Sequence, residues 1–119
     1  MMVGENSRHV RVLLERFLRD IFTRVVGPNF YDVLNAYMVN RRGIDLPTAM
    51  LTRPREAYSA MLDFFQGRES VFRLLDPLIM RYLRDGYGIS VRAGGLFALL
   101  KEGDVAELVR IARSWAGCF

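Results

Sequence analysis

The chain has 119 residues, 51% of them hydrophobic and 25% charged, a balance that excludes intrinsic disorder and supports a single domain with its own core. The lone cysteine, Cys118, excludes an intramolecular disulfide, and no apolar run approaches the roughly 20 residues that span a bilayer. The net charge of +4 comes from 17 basic against 13 acidic residues with Lys101 the only lysine, an arginine bias that suits codon usage or contacts with carboxylate and phosphate.

From Ser7 to Val26 the apolar residues Val10, Leu13, Leu14, Phe17, Leu18, Ile21 and Val25 recur every three or four positions and predict an amphipathic helix over about 8–26. Arg8, Arg11, Glu15, Arg16, Arg19 and Asp20 fall outside that stripe. Glu15 with Arg19, Arg16 with Asp20, and Asp20 with Arg24 stand four apart and are expected to pair. Val12, Phe22 and Val26 lie on the arginine side, so a second contact surface for a partner is expected there.

Gly27-Pro28 ends this helix, and Pro28 or a capping Asn29 starts the next, over 29–42. Phe30, Val33, Leu34, Tyr37 and Met38 form its expected inner stripe, while Asp32 and the pair Arg41-Arg42 complement the helix dipole before Gly43. Residues 44–53 read as a connector with a short helical turn from Pro47. Pro54 opens a helix over 54–66, with Ala57, Tyr58, Met61, Leu62 and Phe65 inward and Gly67 at its end. A helix over 69–85 carries Phe72, Leu75, Ile79 and Tyr82 inward. Asp76-Pro77 falls in its middle; one bent helix is preferred over a new start capped by Asp76.

Residues 85–95 form a glycine-rich turn region with a short extended piece at Ile89 to Arg92, and Leu96 to Lys101 is long enough for one or two helical turns. Asp104 and Glu107 have capping-box spacing ahead of a final helix over 105–116, with Leu108, Val109, Ile111, Ala112 and Trp115. The expected fold is therefore an all-α single-domain bundle of five or six helices spanning 1–119, with 1–6 as a flexible N-terminus.

Catalytic signatures are sparse. His9 is the only histidine and has no second histidine or cysteine near it to complete a zinc set, and Cys118 has no fixed base to activate its thiol. Gly94-Gly95 reads as a sharp turn, since no GxGxxG or GK[ST] phosphate loop accompanies it. A helix-turn-helix around Gly67 fails because Asp63, Arg73 and Asp76 occupy positions that should be small or apolar. No catalytic, cofactor or metal residues are expected. The leading reading is a noncatalytic, cytoplasmic interaction module that forms a homodimer or meets a protein partner through Val12, Phe22 and Val26. The alternative is nucleic-acid binding through Arg8, Arg11, Arg16 and Arg19.

The segments FYDVLNAYMVNRRGID, TRPREAYSAMLDFFQG and LIMRYLRDGYGI, with helix endings at Arg42-Gly43-Ile44 and Tyr87-Gly88-Ile89, occur in an order that resembles a small archaeal all-helical family of output domains. The resemblance covers about half the chain. It implies a regulatory or interaction module without catalysis and transfers no catalytic residues.

Overall fold

The computed structural model describes residues 3–92 and 94–119. Among them are seven helices: α1 (Val3–Val25), α2 (Phe30–Arg42), α3 (Leu46–Thr52), α4 (Pro54–Phe64), α5 (Glu69–Tyr87), α6 (Leu96–Glu102) and α7 (Val105–Ala116). The expected five or six become seven because α3 and α6, read as short turns in connectors, are each full seven-residue helices. Tertiary burial stabilises them where length alone would not: Leu46, Ala49 and Met50 of α3 and Leu96, Phe97, Leu99 and Leu100 of α6 are all buried. Of the six N-terminal residues expected to be flexible, Met1 and Met2 lie outside the described residues, and the backbone is helical from Val3. The described residues contain no strand, so the extended piece at Ile89 to Arg92 does not become one. None of their helices is long and apolar enough to cross a membrane.

The long α1 lies at the centre and packs against α2, α3, α5 and α7, while α4 and α6 close the remaining side. The radius of gyration, 13.4 Å, matches the roughly 13.5 Å expected for a compact domain of this length. Local sequence explains most helix ends. Asp45 accepts the Thr48 N–H at 3.2 Å ahead of Pro47, and Asp104 accepts the Glu107 N–H at 3.2 Å, the second as the spacing predicts. Asn29 differs from expectation: its backbone is left-handed, φ 71°, and its side chain caps nothing. Val33 also departs from the expected stripe of α2, being 54% exposed, because Tyr31, Leu34 and Met38 are the residues that face the core.

Pro77 sits inside a single helix, α5. The backbone bond it cannot donate would go to the carbonyl of Arg73, an exposed residue. Asp76 does cap a helix, but not its own. Its carboxylate is buried and accepts the Phe97 N–H of α6 at 3.0 Å. Gly95 is required at this junction, since its φ is 135° and a side chain there would run into Asp76. Burial pushes the Asp76 carboxyl up to about 6, with the α6 amides of Phe97, Ala98 and Leu96 pulling the other way.

Candidate functional site

The sequence-predicted interface residues are not brought together. Phe22 is fully buried in its own chain, against Phe30 at 5.4 Å and Phe97 at 6.4 Å between ring centroids, which corrects its assignment to a partner surface. On a helical projection it lies about 40° past Leu18, a modest widening of the apolar stripe that α2 and α6 wrap around to cover. Val12 and Val26 point outward and are each 42% exposed. Two further apolar side chains, Leu74 and Leu78, one turn apart on α5, are 65% and 42% exposed. Leu78 shares a recess with Val25, Arg24, Arg81 and Asp85.

The four arginines expected on a nucleic-acid surface have different fates. Arg11 pairs with Glu15 and Asp45, both at 3.2 Å, and Arg19 pairs with Asp32 at 2.9 Å while its guanidinium lies 4.7 Å from the centre of the Tyr31 ring. Arg19 also meets Glu15 at 3.5 Å, as its four-residue spacing predicts. Arg8 and Arg16 are exposed, and Arg16 forms no ion pair among the described residues.

The other two expected pairs, Arg16 with Asp20 and Asp20 with Arg24, do not form, because Asp20 is engaged elsewhere. Its carboxylate accepts the Tyr82 hydroxyl at 2.9 Å, the Tyr87 hydroxyl at 3.0 Å and the Trp115 indole N–H at 3.0 Å. Three helices are thereby joined at one carboxylate: α1 through Asp20, α5 through the two tyrosines, α7 through the tryptophan. Two features could have flagged this hub. Tyr82 and Trp115 were read as core residues, yet their polar tips need partners when buried, and Asp20 lies only about 20° beyond Leu13 at the edge of the apolar stripe.

Beside the hub, α1 and α7 leave an open groove of about 860 Å³. Leu13, Trp115, Ala116 and Phe119 supply its apolar surface, and Arg16 and Arg24 lie along the α1 side. Arg24, like Arg16, has no carboxylate within ion-pair reach among the described residues. His9 is exposed, and the described residues hold no group of three or more metal-ligating side chains. Cys118 is exposed, its Sγ 3.4 Å from the Ser114 carbonyl oxygen.

The chain is similar to an archaeal protein, one of Archaeoglobus fulgidus described as uncharacterized, at 29% identity over 103 residues that cover 87% of this chain and 81% of that one. No protein-family model and no solved structure matches it.

Proposed function

We propose that this protein is a noncatalytic interaction module, of the output-domain kind that the archaeal resemblance implies, working in the cytoplasm as a homodimer. The observation that carries the reading is the exposed pair Leu74 and Leu78, one turn apart on α5, with Leu78 sharing a recess with Val25. Large apolar side chains aligned on one helix face favour association, and a two-fold pairing is the simplest closed form. The rim suits a second copy of the same chain. It carries both signs, Arg24 and Arg81 beside an Asp85 that meets Arg81 at 3.7 Å within the chain, so a second copy of the same rim presents no excess of like charge.

The buried and half-buried carboxylates Asp76, Glu107 and Asp20 support a noncatalytic role because each already serves the fold. Asp20 holds three donors, Asp76 caps α6, and Glu107 accepts Arg110 at 2.6 Å and the Arg92 N–H at 3.3 Å. Nucleic-acid binding has less support, since Arg11 and Arg19 are committed to carboxylates.

Light scattering after size exclusion tests the reading. A dimer is expected for the native chain at high concentration, and a monomer with unchanged helical spectrum and melt for Leu74→Glu with Leu78→Glu. A native chain that stays strictly monomeric, or a variant that stays dimeric, overturns it.

A further inference from the structure

We propose that the α1/α7 groove binds a small organic anion, a carboxylate or phosphate monoester carried on an aliphatic or aromatic body. The inference rests on the groove, which shares Arg24 with the rim of the proposed dimer and none of its other residues. Arg16 and Arg24 are eight residues apart, about 12 Å along the helix axis, and frame the α1 side of the groove. Asp20 stands midway between them and would ordinarily neutralise both. It does not, because Tyr82, Tyr87 and Trp115 draw its carboxylate into their hydrogen bonds. Two guanidinium groups are thus left without an ion-pair partner among the described residues, on a surface that Leu13, Trp115, Ala116 and Phe119 line together with the polar Arg19, Asp20 and Thr23. The third arginine on that side, Arg19, is already paired with Asp32 and Glu15.

A guanidinium binds carboxylate and phosphate through paired N–H donors, which fixes the charge of the head group. Exposed ion pairs alone contribute little, so a bare ion would gain almost nothing here. The affinity must come from an apolar body laid over Leu13, Trp115 and Phe119, and the volume, about 860 Å³, lies within the range of small-molecule sites. The ligand is therefore an amphiphile in which both parts are needed.

Trp115 is the only tryptophan of the chain and lines the groove, so its fluorescence reports occupancy directly. The native protein is titrated with decanoate and decyl phosphate below their aggregation limits, with decanol and inorganic phosphate as controls, and each titration is repeated by calorimetry. Saturable binding of both anions is expected. Decanol, inorganic phosphate and the variant Arg16→Gln with Arg24→Gln should each bind at least about tenfold more weakly, as loss of charge-assisted contacts or of apolar burial implies. If the double variant has an altered helical spectrum, Arg24→Gln alone must weaken the anions and leave decanol unchanged. Absence of binding by both methods, equal binding of decanol, equal binding of inorganic phosphate, or unchanged affinity in the arginine variant overturns the proposal. So does displacement of decanoate by a short DNA duplex at low salt, which would assign the arginines to a polyanion.

Discussion

On one flank of α1, five phenylalanines from different segments close a complete circuit of ring contacts. Phe22 meets Phe30, Phe30 stacks on Phe65, Phe65 meets Phe72, Phe72 stacks on Phe97 at 4.2 Å, and Phe97 returns to Phe22. On the other flank, α5 and α7 are joined to α1 by a carboxylate with three polar aromatic partners, and beside that junction a groove stays open. The difference follows from the forces involved. Apolar contact is non-directional, so rings slide together until no space remains. Hydrogen bonds fix distance and angle, so the helices that share Asp20 are held at the separation their side chains dictate. The groove on the polar flank, about 860 Å³, is accordingly larger than the recess of about 420 Å³ beside Phe72 and Phe97 on the aromatic one.

The largest effect should come from breaking the aromatic circuit. Phe22→Ala is expected to cost about 3–5 kcal/mol, read from the denaturant midpoint, whereas Val26→Ser should stay within about 0.5 kcal/mol. Equal, small costs for both would return Phe22 to the surface and undo the contrast between the flanks.

Next in size is the pH response of Asp76, the one buried carboxylate on the aromatic side. Its folded value, about 6, lies above its ordinary value, so the protonated form favours the folded state. Its contribution is complete below about pH 4 and declines as pH rises towards and through 6, by roughly 3 kcal/mol in total. Thermal melts across that window should show a native stability that falls relative to Asp76→Asn, which keeps an acceptor for the α6 amides and cannot ionise. Parallel curves for the two proteins would remove the ionisable group from the account.

The smallest effect belongs to the polar hub. Tyr82→Phe removes one of three donors to Asp20 while Tyr87 and Trp115 remain, so a loss of about 1 kcal/mol in stability is expected from thermal or chemical denaturation. A loss as large as that of Phe22→Ala would mean that the hub, and not the circuit, dominates the fold.

The amino-acid sequence by itself determined the all-α class, the order of the long helices and most of their ends, because apolar periodicity, proline, glycine and capping side chains act within a few residues. It also placed Pro77 inside one helix and Asp104 at the start of α7. The tertiary structure decided which residues at the edges of each stripe are covered. A periodic pattern gives the direction of a side chain, and whether Phe22 is buried while Val26 and Val33 are exposed depends on which helices arrive beside them. Polar partnerships were decided in the same way. Asp20 looked equally able to pair with Arg16 or Arg24 on its own helix, and it was claimed instead by donors 62 to 95 residues away. Asp76 stood where it could start a helix of its own and caps one that begins 20 residues later. Both outcomes rest on contacts between segments remote in the chain, which leave no periodic trace in it.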